Sequence, residues 1–220
     1  MPRSGTTLIE QIISNNDFTY AGGEITILPK LLDEVVRKRI NGNSSSEIDN
    51  FGLLENLRNL YYGYLDTKTD KEYIIDKMPY NFIYAGIIKL AFPEAKFIHV
   101  KRNINDNCLS IYKNYFSNNS QPFAYKFENI QKYYQLYKLQ TEFWKKEFSE
   151  KIYQIEYENL IQNTKSEIMN LIEFCKFIWN ENYIEFYKNK RSIYTASSSQ
   201  VRSRIYNSSI NSWKNYSEFF

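Results

Sequence analysis

The stretch MPRSGTTLIEQII, residues 1–13, carries the strongest structural signal in the chain. Gly5 lets the backbone approach a ligand closely, and Arg3 places a positive charge nearby. The hydroxyl donors of the same loop are Ser4, Thr6 and Thr7. The apolar residues that follow have helical spacing, which places the loop at a helix N-terminus, where free N–H groups and the helix dipole attract an anion. The stretch therefore indicates a site for a phosphate-like anion, with an ordinary turn as the alternative interpretation.

Length and charge restrict the class of protein. The chain has 220 residues, enough for a substantial core, and we expect one domain over residues 1–220. A net charge of +3 is compatible with an anionic ligand but too small to indicate a nucleic-acid partner. The sequence contains no stretch that is long and apolar enough to span a membrane.

The two cysteines and the single histidine do not indicate a metal site. Cys108 and Cys175 lie far apart within apolar helical patterns, which argues against a disulfide framework and fits a reducing, cytoplasmic compartment. His99 has apolar neighbours in a predicted strand, so we expect it to pack there rather than to act as a catalyst. No metal is expected.

Short apolar strands alternate with helical patterns, which predicts βαβ units and a parallel sheet in an α/β domain. The predicted helices cover residues 5–16, 25–40, 52–66, 81–91, 105–117, 124–148, 164–175 and 180–189. The predicted strands cover residues 73–76, 95–100 and 152–156. Ligands of such sheets bind beyond the carboxyl ends of the strands, so the polar residues at these ends are candidate site residues.

Cations follow two of these strands directly. Lys77 comes just before Pro79, which turns the chain at the edge of the sheet. Lys101 and Arg102 end the next strand, and Ser110 lies eight residues beyond Arg102. If the chain turns from strand to helix there, Arg102 and Ser110 can reach one anionic group. Solvated surface charges are the alternative interpretation.

Two further segments each allow two interpretations. Glu24 follows two glycines and precedes a helical pattern. It is either a favourable charge in the first turn of that helix or a general base aimed at a substrate hydroxyl. The tail from Arg191 onward is rich in Ser, Asn and Arg, and it is either a basic tail or a flap over an anion.

The opening loop does not fit an enzyme that hydrolyses ATP or GTP. A Walker A loop carries a Lys directly after its second glycine, whereas Thr6 follows Gly5 here and the cation comes earlier, at Arg3. No apolar strand ending in Asp offers a convincing magnesium site. Phosphate binding as such stays compatible with the loop.

Taken together, these segments resemble the PAPS-dependent sulfotransferase superfamily, in particular the branch of tyrosylprotein sulfotransferases and bacterial sulfotransferases fused to tetratricopeptide repeats. The segments are PRSGTTLIEQI (2–12), AGGEITILPKLL (21–32), DKMPYNFIYAGIIKLAFPEAKFIHVKRN (76–103), YENL (157–160) and TASSSQVRSRIYNSSINSWKNY (195–216). The resemblance runs from residue 1 to about 215. It implies a P-loop-like three-layer α/β fold with a central parallel sheet.

The resemblance also implies a site for 3′-phosphoadenosine 5′-phosphosulfate (PAPS), with PAP as the product and no metal. Glu24 is the implied base and Lys77 the implied stabiliser of the leaving oxygen, with Arg3 as a further catalytic residue. The residues implied to bind the 5′-phosphosulfate are Arg3, Ser4, Gly5, Thr6 and Thr7. The residues implied to bind the rest of the nucleotide are Arg102, Ser110, Tyr157, Ser197 and Arg202.

The acceptor implied by the resemblance is a protein tyrosine, with a sugar hydroxyl as the second choice. A non-catalytic PAP-binding fragment and a kinase-like phosphotransferase are the alternative functions. In these relatives an apolar strand precedes the loop. We therefore expect a chain truncated at its N-terminus, with a gap in the sheet flanked by unpaired strand edges.

Overall fold

The computed structural model describes residues 1–41, 47–116, 121–189, 191–193 and 200–219. Its α-helices are α1 (Thr6–Ile13), α2 (Ile27–Asn41), α3 (Glu47–Asp66), α4 (Ala85–Ala91), α5 (Ile104–Tyr112), α6 (Phe127–Glu147), α7 (Tyr157–Gln162) and α8 (Thr164–Cys175). Its strands are β1 (Thr19–Ala21), β2 (Tyr73–Ile75), β3 (Phe97–Lys101) and β4 (Ile152–Glu156). Short 3₁₀ turns occupy Asn81–Tyr84, Pro122–Tyr125, Ser149–Lys151, Glu181–Tyr183, Phe186–Lys188, Gln200–Arg202 and Ser212–Phe219.

The strands pair in parallel, as predicted. β1 pairs with β2, with Thr19 opposite Tyr73, and β3 pairs with β4, with Phe97 opposite Ile152. Parallel pairing needs a long crossover between the two strands, and here helices supply it: α2 and α3 connect β1 to β2, and α5 and α6 connect β3 to β4. The α/β class with a parallel sheet is confirmed.

Helices cover both faces of the sheet because successive side chains of a strand point to opposite sides. On β3, Ile98 and Val100 pack into the core formed by α1, α7 and α8. The alternate residues Phe97 and His99 face the other side, where the His99 ring contacts Tyr137 of α6. His99 thus packs within the strand, as the sequence indicated.

A cavity of about 610 Å³ separates the two strand pairs. Within the described part of the chain, β2 pairs with β1 alone and β3 with β4 alone, and residues of both β2 and β3 line the cavity. Ile9 and Ile13 of α1 also line it, as do Ala85 of α4 and Trp144 of α6. This cavity lies between the helices that pack on the two faces of the strands.

Helix α1 is buried along nearly its whole length. Ile9, Ile12 and Ile13 belong to the core, and burial of each such side chain contributes roughly 1.5–3 kcal/mol to folding. Glu10 and Gln11 of the same helix are buried as well. Since buried polar groups require hydrogen-bond or charge partners, the surroundings of α1 must supply them.

The structure corrects several sequence predictions. Helix α7 was not predicted, the predicted helix over 105–117 ends at Tyr112, and the predicted helix over 81–91 begins with the 3₁₀ turn Asn81–Tyr84. Strand β1 was not predicted, because its three residues, TYA, form neither an apolar run like the YII of β2 nor an alternating pattern. The predicted helix over 180–189 consists of two separate 3₁₀ turns, in which Tyr183 and Phe186 bury their rings three residues apart. Among the described residues, no helix combines the length and the apolar character that crossing a membrane requires.

Asp76 lies in the turn after β2. Its carboxylate accepts hydrogen bonds from the Tyr61 hydroxyl at 2.9 Å and from Asn81 Nδ2 at 3.3 Å. Burial outweighs these bonds and raises the pKa of Asp76 from 3.8 to about 6. The folded protein therefore binds the Asp76 proton more tightly than the unfolded chain does.

This shift predicts a pH-dependent stability difference between the wild type and Asp76→Asn. The contribution of Asp76 to the free energy of unfolding is fully present below pH 3.8 and is lost as the pH rises to about 6. We expect the free energy of unfolding of the wild type to fall by up to ~3 kcal/mol relative to that of Asp76→Asn over this interval. Urea unfolding at several pH values measures the difference, with the exposed Asp70→Asn as the control for charge removal. A wild-type-to-variant difference that does not change with pH would contradict the prediction.

Candidate active site

The opening loop requires a glycine at its centre, both for its backbone conformation and for the close approach of an aromatic ring. Gly5 has a φ of 107°, in the left-handed region, and a Cβ on it would lie 2.7 Å from Cδ2 of Tyr157. Helix α1 starts at the next residue, and no side chain caps its N-terminus. The sequence predicts an anion at this helix N-terminus, where the helix dipole attracts negative charge, and this stays a prediction.

Two arginines meet beside this loop. Nη1 of Arg102 donates to the carbonyl of Arg3 at 3.0 Å, and Nε of Arg3 donates to Oγ of Ser110 at 3.2 Å. Burial and the neighbouring Arg102 guanidinium both lower the pKa of Arg3. Nε of Arg102 is buried and has no hydrogen-bond partner among the described residues. The site thus concentrates positive charge and holds a free donor, which suits an anionic ligand.

Tyr157 packs its ring against the loop and lines the pocket beside it. Its ring contacts Gly5 and lies 4.8 Å from the Arg102 guanidinium carbon, in cation–π geometry. Its hydroxyl is 2.9 Å from Oγ of Ser209, whose carbonyl accepts from Nη2 of Arg102 at 2.8 Å. Ser209 therefore belongs to the site. The sequence did not predict this, because the run of Ser and Asn around it does not indicate which residue faces the site.

The pocket between these elements is small, about 50 Å³. It is lined by Arg3, Gly5, Thr7, Leu8, Arg102, Tyr157, Ile161, Phe186, Val201, Ser203, Arg204, Ile205 and Tyr206. The last five belong to the tail, so the tail lies over the anion pocket. This arrangement matches the flap interpretation of the tail rather than that of a free basic extension.

Glu24 and Lys77 form an ion pair, with Nζ of Lys77 2.7 Å from Oε1 of Glu24. The Lys77 side chain is 5% exposed and the Glu24 side chain 44%. The main chain brings them together, because the N–H of Lys77 donates to the carbonyl of Gly23 at 2.9 Å. The result is a buried cation next to a carboxylate that solvent, and hence a substrate hydroxyl, can reach.

The other predicted loop residues lie on different sides of the loop. The Ser4 hydroxyl is buried and donates to the carbonyl of Met1 at 2.9 Å, so it stabilises the loop itself. Thr7 faces the anion pocket. Thr6 faces the larger cavity, which Lys77 also lines. The start of α1 thus lies between the arginines and the Glu24–Lys77 pair.

Two residues of the tail, Ser197 and Arg202, were predicted to bind the nucleotide. Ser197 lies outside the described residues. Arg202 is exposed, and its Nη2 donates to the carbonyl of Arg191 at 3.0 Å, away from the lining of the anion pocket. Ser203 and Arg204, the next two residues, line the pocket instead. The role predicted for Arg202 stays a prediction.

Within the described ranges, no cluster of three or more His, Cys, Asp or Glu side chains is suited to hold a metal ion. Both cysteines are buried and free. Burial raises the pKa of each thiol to about 11, which makes the thiolate, the reactive form, rare at neutral pH.

Solved structures share this fold. The sulfotransferase domain from the Synechococcus PCC 7002 olefin synthase aligns with a TM-score of 0.61 and 18% identity, over 98% of this chain and 91% of that one. The sulfotransferase domain from the curacin biosynthetic pathway aligns with a TM-score of 0.64 and 15% identity, over 97% and 87%. Sulfotransferase STF9 from Mycobacterium avium aligns with a TM-score of 0.57 and 12% identity, over 100% and 75%. These similarities support the fold alone.

Sequence comparison gives the family. A protein of Aquifex aeolicus (strain VF5), described as uncharacterized, is 36% identical over 230 residues, which cover all of this chain and 30% of that protein. The chain thus spans less than a third of the length of this relative. The sequence profile of the sulfotransferase family matches residues 1–181. The chain therefore belongs to the sulfotransferase family.

Proposed function

We propose that this protein transfers a sulfuryl group from PAPS to an acceptor hydroxyl, with Glu24 as the base. The observation that carries the proposal is the contact of 2.7 Å between the exposed Glu24 carboxylate and the buried Lys77 ammonium. Family membership supports sulfuryl transfer in general, and the pair supplies the two functions that such a transfer needs. One group removes a proton from the acceptor, and the other stabilises charge on the leaving oxygen.

The charged and polar groups around the anion pocket suit a nucleotide with separate anionic groups. The N-terminus of α1 and Arg3 would hold the 5′-phosphosulfate, and Arg102 with Ser110 would hold the 3′-phosphate. The unpaired Nε of Arg102 supports this assignment, because a buried donor without a partner costs free energy until a ligand satisfies it. Tyr157 offers a ring for the adenine.

The chemistry balances without a further reactant. Glu24 accepts the acceptor's hydroxyl proton while that oxygen bonds to sulfur, and the bond from sulfur to the phosphate oxygen breaks. Lys77 stabilises the negative charge that develops on the phosphate oxygen. A protonated Glu24 no longer holds the Lys77 ammonium as an ion pair, so the proton transfer makes Lys77 available to the leaving group.

Nucleotide binding requires the tail to move. The anion pocket has a volume of about 50 Å³, whereas sites for small-molecule ligands and cofactors occupy roughly 300–1,000 Å³. The contacts that Arg102 and Tyr157 make with Ser209 close the pocket, and a nucleotide competes for these groups.

For the acceptor we propose a protein tyrosine, with a carbohydrate hydroxyl as the second candidate, because the sequence resembles the tyrosylprotein branch. The exposure of Glu24 is compatible with an acceptor presented on a larger molecule. A cytoplasmic location and the absence of a nucleic-acid partner stay predictions. The alternatives are a PAP-binding protein without turnover and a kinase-like phosphotransferase.

Glu24→Gln is expected to lower kcat by about 10²–10⁴-fold, because the amide cannot take the acceptor's proton. PAP affinity should stay within about twofold, since the Gln amide oxygen still accepts a hydrogen bond from Lys77. PAP release during turnover and calorimetric titration with PAP measure the two effects, and the exposed Glu147→Gln is the matched control. Wild-type turnover in Glu24→Gln would reject Glu24 as the base. PAP binding without any turnover in the wild type would favour the binding protein.

Arg102→Lys is expected to weaken PAP binding by about 10–100-fold, because lysine keeps the charge but loses the planar fork of donors. Lys101→Ala is the control, since Lys101 is exposed and pairs with Glu156 at the surface, at 3.6 Å. Calorimetric titration of both variants with PAP gives the comparison. Equal affinities would place the 3′-phosphate elsewhere.

A further inference from the structure

Glu10 is a carboxylate in the interior of the protein. It lies on α1 among core isoleucines, and it is 1% exposed. Removing a charge from water costs several kcal/mol per ion even after the protein relaxes, and an apolar side chain would avoid this cost. The contacts of Glu10 therefore indicate what the charge is used for.

One carboxylate oxygen of Glu10 holds the main chain next to Glu24. Oε1 accepts a hydrogen bond from the N–H of Gly23 at 2.8 Å. The carbonyl of Gly23 in turn accepts from the N–H of Lys77 at 2.9 Å. Both polar groups of this peptide segment are thus fixed, one by α1 and one by the turn after β2. Glu24 is the next residue, and its carboxylate is the one that meets Lys77.

Arg191 neutralises the other oxygen of Glu10. Its Nη2 lies 2.8 Å from Oε2 as an ion pair, without the alignment of a directed hydrogen bond. Nε of Arg191 donates to Oε1 of Gln11 at 2.7 Å, and Nη1 reaches the carbonyl of Ala21, at the end of β1, at 3.4 Å. Arg191 thus contacts α1 and the segment that leads to Glu24.

We propose that Glu10 is a positioning residue for the reaction proposed above, on which this inference rests. Glu10 orients the Gly23–Glu24 segment so that the Glu24 carboxylate is held against Lys77, and Arg191 places the opposite charge beside Glu10 in the core. Glu10 itself does not touch the reactants. Its removal lowers the rate of the chemical step and leaves nucleotide binding intact, because the anion pocket lies on the other side of the start of α1.

Two double variants isolate the hydrogen bond from the charge. Glu10→Met with Arg191→Met replaces the ion pair by apolar side chains, an exchange that is often neutral for folding. Glu10→Gln with Arg191→Met differs from it only at residue 10, where an amide oxygen can still accept from Gly23. Neither variant leaves a buried charge without its partner.

We expect kcat of the Met/Met variant to fall about 10–100-fold, because a displacement near 1 Å from a reactive geometry costs about this much. The kcat of the Gln/Met variant should fall by no more than about threefold. PAP affinity should be the same for both. Equal kcat values in two folded variants would overturn the positioning role.

Hydrogen exchange of the Gly23 amide is the second measurement, and it does not depend on enzymatic activity. The amide should exchange at least about tenfold faster in the Met/Met variant than in the Gln/Met variant. Equal exchange rates would overturn the proposal. A difference in exchange, combined with a Glu24→Gln variant that turns over normally, would instead reject the proposed function and keep the contact between Glu10 and the loop.

Discussion

The parallel pairing of β1 with β2 is the contact on which the candidate active site depends. The hydrogen-bond pattern continues past the end of β1, where the N–H of Gly22 donates to the carbonyl of Ile75 and the carbonyl of Gly23 accepts from Lys77. This continuation brings Glu24 to the side chain of Lys77, although the two residues are far apart in the sequence. Burial of the Lys77 ammonium is tolerated because a carboxylate lies at 2.7 Å.

Helix α1 connects the two halves of the site. Thr7 and Leu8, in its first turn, line the anion pocket, while Glu10, a turn later, holds the main chain that carries Glu24. Since α1 is packed on nearly all sides, neither end can shift alone without disturbing the core. The nucleotide loop and the proposed base therefore have a common rigid support.

Much of this arrangement was predictable from local sequence. The elements around α1, β2, β3, α6, β4 and α8 lie within a few residues of their predicted ranges, because apolar runs mark the strands and apolar periodicity marks the helices. Strand β1 was missed, and the tail was predicted only as one of two alternatives. Three strand residues and a run of Ser and Asn contain no periodic pattern, so their conformation depends on the neighbours against which they pack. For this reason, Ser209 and Arg204 were not predicted as site residues.

The sequence by itself determined which functional groups are present and which elements they adjoin: a glycine loop before a helix, cations after strands and a carboxylate after two glycines. These features depend on residues adjacent in the chain, so local rules suffice to find them. Only the tertiary structure decided which charges meet. Glu10 pairs with Arg191 and holds Gly23, and Arg102 contacts Arg3 and Ser209, because the path of the chain brings these distant residues together. Electrostatic and hydrogen-bond energies depend on distance in space and on burial, and neither can be computed from separation along the sequence.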